Sequence, residues 1–435
     1  MSATEHFAAQ VRASARAGAD VAWLNQTREQ ALASFEQMGL PTTRNEHWKY
    51  TAIKPIEKKA FAAVVGHVGI DDIQPFLFEG LDADRMVFVN GAYHHGLSRI
   101  ASEGVRIASL AAVLADDAAT VEPYLGKIAD PRASGFAALN TAGLVDGAFV
   151  HVERNQAAAR PLLLLFVASG NDAFAQPRNL IVADEGGSVS VIEHYVTLGQ
   201  GAHFTNAVTE ISVAANAEVR HYKVQQESDK AFHIATLQAD QARNGRLHSY
   251  QVSLGGAIAR NDVNTRLNGE GAEAEMNGLY LVDGRQHMDF HTNIEHVVPH
   301  CISRENYRGV LDGRGRGVFN GKVHVYENAV KTDSDMSNKN LLLSSNAEID
   351  TKPELEIYND DVKCAHGATI GQLDEVHMFY LRSRGIDPVA ARSLLVFAFA
   401  NEVLQTLPLE AVRTTLEKTL IARLPKADHL DELVQ

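Results

Sequence analysis

Short strand-like words recur through the middle of the chain at an interval of about 30 residues, and that spacing constrains the fold more than any other feature. The words are Ser188-Val189-Ser190-Val191, Glu218-Val219-Arg220-His221-Tyr222, Arg246-Leu247-His248-Ser249-Tyr250-Gln251-Val252, Glu273-Ala274-Glu275-Met276, Gly317-Val318-Phe319-Asn320-Gly321-Lys322-Val323 and Glu348-Ile349-Asp350. Each starts beside a small or turn residue (Gly187, Ala217, Gly245, Ala272, Gly315, Ala347), and helical text is nearly absent between them. With Val189, Val219, Leu247, Ala274, Val318 and Ile349 as markers, one step is long, from Ala274 to Val318, and reads as an insertion. Strands at near-constant period, none able to bury its apolar face alone, describe a β-solenoid or β-helix. A β-sandwich is the alternative that the pattern leaves open.

The flanks read differently. From Thr4 to about Met38 apolar residues fall at helical spacing, and Gly39-Leu40-Pro41 stops the helix. The run Arg44-Asn45-Glu46-His47-Trp48-Lys49-Tyr50 then reads as a packing corner in which Trp48 and Tyr50 anchor the helical piece, with ligand binding as the alternative. A mixed stretch follows, with a strand Arg85-Met86-Val87-Phe88-Val89 ending at Asn90-Gly91 and helical text around Ile107 to Leu114 and Phe136 to Leu144. After Gly371 helical spacing returns. Asp387-Pro388 caps and starts a helix carrying Ala391, Leu394, Leu395, Phe397, Ala398 and Val403, whose apolar text covers more than one face, and a last helix runs from about Leu409 to Leu424. The expected division is residues 1–150, helical and mixed α/β; residues 151–371, the β core; and residues 372–435, helical.

Bulk properties narrow the function. A formal net charge of -14 repels a nucleic-acid backbone, and no basic block makes a local exception. No apolar run approaches the roughly 20 residues that cross a bilayer. The first residues lack a basic region followed by an apolar core, and only Cys301 and Cys364 are present, so neither a secretory signal nor a disulfide framework is expected. The expected compartment is the cytoplasm, with no nucleic-acid and no membrane partner.

A search for catalytic devices finds no phosphate loop, no nucleophile elbow and no His-Glu-x-x-His helix. The cluster Gly313-Arg314-Gly315-Arg316-Gly317 lacks the strand-to-helix setting of a dinucleotide site and reads as a solenoid turn. In the run from Gln286 to His296, strand alternation sets His287, Asp289, His291, Asn293 and Glu295 on one face, which fits a metal site or an ordinary half-exposed strand. Cys364 and His366 are sharper. Two residues apart in an extended segment, they point the same way and suit one soft metal, with Asp360 and Asp361 nearby. The alternative is an inert cysteine beside a hydrogen-bonded histidine. Iron-sulfur clusters take roughly four ligands, mostly thiolates, so a chain with two cysteines can hold only part of one.

Several words resemble the SufB/SufD family, on its SufD side. They are Gly39-Leu40-Pro41-Thr42-Thr43-Arg44-Asn45-Glu46-His47-Trp48-Lys49-Tyr50, Phe319-Asn320-Gly321, Lys331-Thr332-Asp333, Asn338-Lys339-Asn340-Leu341-Leu342, Asp350-Thr351-Lys352-Pro353-Glu354-Leu355-Glu356-Ile357-Tyr358, the run from Asp360 through Cys364-Ala365-His366-Gly367 to Thr369, and Phe379-Tyr380-Leu381-Arg382-Ser383-Arg384-Gly385. The resemblance implies a mainly β chain whose core is a right-handed parallel β-helix, flanked by an N-terminal helical (α/β) region and a C-terminal α-helical region. It further implies a non-catalytic scaffold that pairs edge to edge with SufB and binds the ATPase SufC, with a nascent iron-sulfur cluster forming at the junction of the two β-helices. His366, and less firmly Cys364, would meet that cluster, SufB supplying the essential thiolate and an acid. The C-terminal helices, here Ala391, Leu394, Leu395, Phe397 and Val403, would receive SufC. No cofactor is expected to stay on this chain alone; the cluster would be transient, and reduced flavin is a further candidate ligand of the complex. An isolated chain of this kind is expected to be able to homodimerise. SufB-type chains carry additional cysteines that are missing here.

Overall fold

The computed structural model describes residues 2–14, 18–102 and 104–426. Two extended sheets face each other across one core. The first runs from Ala92–Tyr93 through Asp84–Val89, Leu162–Ser169, Ser188–Leu198, Glu218–Gln226, Arg246–Ser253, Glu273–Val282, Ile302–Leu311 and Asp333–Leu342 to Lys363–Gly371. The second runs from Val105–Ser109 through Ala148–Val152, Arg178–Ala183, His203–Val213, Phe232–Gln241, Ile258–Leu267, His287–His296 and Arg316–Val325 to Glu348–Ile357. From His203 onward successive strands alternate between the sheets and pair in parallel, one turn after another, so the chain is a parallel β-solenoid.

Register explains the period. Ser188, Glu218, Arg246, Glu273, Ile302, Asp333 and Lys363 stack in one column, so one turn takes about 30 residues. The neighbouring column, Val189, Val219, Leu247, Ala274, Ser303, Ser334 and Cys364, faces the core. The long step from Ala274 to Val318 is therefore not an insertion. Val318 and Ile349 belong to the opposite sheet, and the next word in the Ala274 column is Ile302–Leu311. That strand escapes a hydropathy reading because Glu305 and Arg308, both buried, interrupt it.

The corners carry a second signal. Asn155, Gly186, Asn216, Asn244, Gly271, His300 and Lys331 each begin a turn with positive φ, and each amide up to Lys331, bar Gly271, donates to a carbonyl near the corresponding corner of the next turn, as Asn216 does to Arg243 and His300 to Val330. Left-handed backbone favours Gly and Asn. At Gly186 and Gly271 the demand is double, because a Cβ there would approach the side-chain oxygen of Asn155 or Asn244 to 2.5 Å.

The flanking helices cover the sheets. Phe7, Phe35, Trp48 and Phe136 from the N-terminal region pack on Phe174, Phe204, Phe232 and Ile258 of the second sheet. The C-terminal helices Pro388–Leu404 and Glu410–Ala422 set Val396, Phe397, Val403 and Leu420 in one cluster with Tyr222, Tyr250, Leu279 and Val310 of the first sheet. Asp387 caps the former helix by accepting from the amides of Val389 and Ala390, with Pro388 at its first position. Local readings need adjustment in two places. The helical text from Thr4 to Met38 is two helices, Ala3–Ala13 and Ala22–Met38, with residues 15–17 outside the described residues. The text from Ile107 to Leu114 divides into a strand, Val105–Ser109, and a helix, Leu110–Asp116, that Ser109 caps. The expected C-terminal region, 372–435, ends in residues 427–435, which also lie outside the described residues.

Gly271→Ala tests the corner argument. A left-handed alanine costs about 1–2 kcal/mol before Asn244 is displaced, so the variant should melt several degrees lower, whereas Asn216→Gly should melt near the parent. Equal melting of Gly271→Ala and the parent would contradict the role given to the corner.

Candidate functional site

The last turn is where the solenoid stops. Lys363–Gly371 pairs with Asp333–Leu342 on one side only, and Glu348–Ile357 with Arg316–Val325 on one side only. Among the described residues each therefore presents an open edge of backbone donors and acceptors. Cys364 stacks over Ser334 and Ser303, and His366 over Met336 and Glu305, all four of which are buried. Cys364 and His366 thus continue two inward-facing columns into a turn that no further turn covers. Cys364 is half-buried against the core, and His366 is exposed, its ring making no hydrogen bond or ion pair to any described residue. At about 3.3 Å of rise per residue their Cα atoms are about 7 Å apart, close enough to share one ion.

Electrostatics decides what these groups can do alone. Burial, and then the carboxylate of Asp333 in the adjacent strand, push the Cys364 thiol up, against the smaller effect of the Ser334 backbone. At neutral pH the thiol keeps its proton until a cation arrives on the open side. Of the nearby acids, Asp361 pairs with Lys331 at 2.7 Å and Asp333 with Arg304 at 2.9 Å, while the exposed Asp360 side chain makes no hydrogen bond or ion pair to any described residue. Among the described residues no group of three or more His, Cys, Asp or Glu side chains is placed to hold a metal ion.

On the face from His287 to Glu295, His287 and Asp289 receive the N-terminal corner, while Glu295 pairs with Arg266 at 3.1 Å and accepts from Tyr326 at 2.9 Å. Asp289 accepts from Arg260 at 2.9 Å, contacts His291 at 3.1 Å and takes a short hydrogen bond from Thr51. His287 lies 2.8 Å from the Thr51 hydroxyl. Against its burial, Arg260 and His291 hold the Asp289 carboxyl well below the carboxylate range. Trp48 is buried, with the Arg260 guanidinium 3.9 Å from its ring centroid, so the corner reading of Arg44 to Tyr50 holds for Trp48; Tyr50 is only half-buried. Glu46 extends the contact to Lys352 on the last turn, at 3.4 Å.

Of the residues read as a partner surface, Ala391, Phe397 and Val403 are buried within this chain, and Leu394 and Leu395 are half-buried. The large apolar side chains that the C-terminal helices do expose are Val376, Phe379 and Tyr380 on the helix Glu375–Ser383, which buries none of its residues, and Val389.

Pattern reading overlooked the charged residues inside the solenoid. Glu193 bonds Thr209, Tyr195 and His221, the last at 3.1 Å. Glu227 bonds His203 and His233 at 2.9 Å each, and Lys223 donates to Asn261 at 2.6 Å. Despite burial, His221 and Lys223 hold Glu193 down at about 2, and burial lowers Lys223 to about 8. The signal was present: in Val189-Ser190-Val191-Ile192-Glu193-His194-Tyr195, Glu193 shares the inward alternation of Val189 and Val191.

Glu305, two turns beneath His366 in its column, lacks such support. Neither carboxyl oxygen is well bonded, and burial pushes the group up to about 7, with the Thr292 hydroxyl acting weakly the other way. A raised carboxyl contributes its stability below the unfolded value of about 4.5 and loses it as pH rises through about 7. Glu305→Gln should therefore leave the chain near its parent stability at pH 5 and stabilise it by roughly 2–3 kcal/mol at pH 8, read from thermal midpoints at the two pH values. A parallel pH dependence in the two proteins would show that Glu305 is not strained.

Residues 166–399 match the model for the SUF system FeS cluster assembly SufBD core domain, and residues 5–164 match the SufBD protein N-terminal region. The iron-sulfur cluster assembly protein SufD of Escherichia coli is 35% identical over 401 residues, covering 91% of this chain and 92% of that protein. The SufBD family protein slr0076 of Synechocystis is 33% identical, covering 93% and 92%. The SufBD family protein ML0594 of Mycobacterium leprae is 27% identical, covering 92% and 94%. A chain matched over both regions of the family and along almost the full length of a named SufD belongs to the SufB/SufD family of iron-sulfur cluster assembly proteins, as a SufD homologue.

Proposed function

We propose that this chain is a non-catalytic scaffold subunit of a SufBC2D complex in the cytoplasm, and that it contributes half of the place where a nascent iron-sulfur cluster forms. The observation that carries this reading is the last turn: two metal-competent side chains, Cys364 and His366, face the same way on a strand whose outer edge has no partner. A SufB chain would add its own terminal strands to the open edges of Lys363–Gly371 and Glu348–Ile357. The remaining ligands, including a thiolate, would come with it. The cluster is cargo of the complex and is not retained by this chain.

Of the two residues, His366 is the stronger contact, because its ring is exposed and makes no hydrogen bond to any described residue. Cys364 can join only when a cation draws off its proton, since burial and Asp333 favour the neutral thiol. SufC would dock on the C-terminal helical region, 372–435. Support for that contact now falls on half-buried Leu394 and Leu395, and on Val376, Phe379 and Tyr380, rather than on the buried Ala391, Phe397 and Val403.

The test is anaerobic co-expression with the SufB and SufC chains of the same source, followed by subunit stoichiometry and cluster absorbance. His366→Ala should leave the complex assembled in the parent ratio and lower the recovered cluster severalfold, with a smaller loss for Cys364→Ala. Parent-level cluster with His366→Ala would remove His366 from the site, and failure to co-purify with either partner would remove the scaffold reading.

A further inference from the structure

A cleft of about 650 Å³ lies where the C-terminal helices meet the solenoid, away from the last turn's open edge. Its walls are apolar on both sides: Leu281, Val310 and Leu343 from the first sheet and its turns, Val396 from the helix Pro388–Leu404, and Leu420 and Leu424 from the last helix and its exit. The volume falls within the roughly 300–1,000 Å³ of sites for small organic ligands, which favour such junctions between structural units.

The polar groups around it differ by sign in how far they are already engaged. The three carboxylates have partners: Asp229 accepts from Gln286 at 3.0 Å, Asp283 from the Gly284 amide at 2.5 Å, and Asp312 from the Gly313 amide at 2.8 Å and from Arg392 at 3.4 Å. Arg392 also donates to the Leu343 carbonyl at 2.7 Å. The guanidinium groups of Arg285 and Arg423, by contrast, make no hydrogen bond or close ion pair to any described residue, and that of Arg423 feels Asp229 and Asp283 only at longer range. Arg285 and Arg423 thus set two planar guanidinium groups beside an apolar floor, among carboxylates that each keep some acceptor capacity of their own.

We infer that this cleft binds a small amphipathic anion, an apolar body seated between Leu281, Val396 and Leu420 with a carboxylate, sulfonate or phosphate held by Arg285 and Arg423. Such a ligand touches the solenoid and both C-terminal helices at once, so its binding would fasten the helical unit to the sheet. The cleft shares no lining residue with the last turn that carries Cys364 and His366.

Titration of the full chain with 8-anilinonaphthalene-1-sulfonate, and separately with the uncharged N-phenyl-1-naphthylamine, tests it. The sulfonate should bind saturably at one site and raise the melting temperature. The double variant Arg285→Gln/Arg423→Gln should weaken the sulfonate by about tenfold or more, as expected for lost hydrogen bonds to a charged group, and leave the neutral probe unchanged. Leu424→Trp, at the half-buried mouth, should block both probes while the fold, checked by circular dichroism, is retained. No saturable binding, equal affinity for the two probes, or sulfonate binding indifferent to the double variant would each overturn the inference.

Discussion

Backbone hydrogen bonds between successive turns are the interaction on which the rest of this chain depends. No single strand here can bury its apolar face alone, and each within the stack is held by the strand one turn before and one turn after. The inward columns, the stacked left-handed corners and the helices on either face all follow from that ladder. So does its weak point, because a ladder must stop, and where it stops the backbone and the inward side chains lose their next partner. Cys364 and His366 sit at that stop. In any earlier turn they would be buried like Ser334 and Met336, with no access to an ion.

The same constraint separates what the sequence made legible from what it hid. The column of Val189, Val219, Leu247 and Ala274 was readable because small turn residues precede apolar inward ones at a steady interval. The reading slipped at Ile302–Leu311, where buried Glu305 and Arg308 mimic a surface segment and His300 replaces Gly or Asn at the corner. A one-face hydropathy pattern also cannot tell which of two alternating sheets a word belongs to, so Val318 was taken into the wrong column. The pairing of Cys364 with His366 was legible from alternation alone. Their position at an uncovered end was not, since it depends on where the stacking finishes.

Charge inside the solenoid is handled in two ways, and the contrast bears on function. Glu193 and Glu227 are surrounded by histidine, lysine and hydroxyl donors, so burial leaves them ionised. Glu305 and the Cys364 thiol, nearer the open end, lack compensating donors and are pushed toward their neutral forms. Under the proposed function, the Cys364 thiol would give up its proton only when a cation binds on the open side. The outer face of the second sheet follows the first pattern: Arg260, Asp289 and His291 neutralise one another beneath Trp48, which turns a face rich in metal-type residues into an attachment point for the N-terminal region.

Among the described residues the last turn is an unpaired edge, to which, under the proposed function, another chain's strands would add. Hydrogen exchange of the backbone amides in Lys363–Gly371 and Glu348–Ile357 measures this most directly, comparing the chain alone with the chain in complex with SufB. In a parallel ladder alternate amides face the preceding strand and the rest face outward. The account predicts that the outward amides exchange rapidly in the isolated chain and become protected in the complex. Slow exchange of those amides in the monomeric chain, or rapid exchange that persists in the complex, would contradict it.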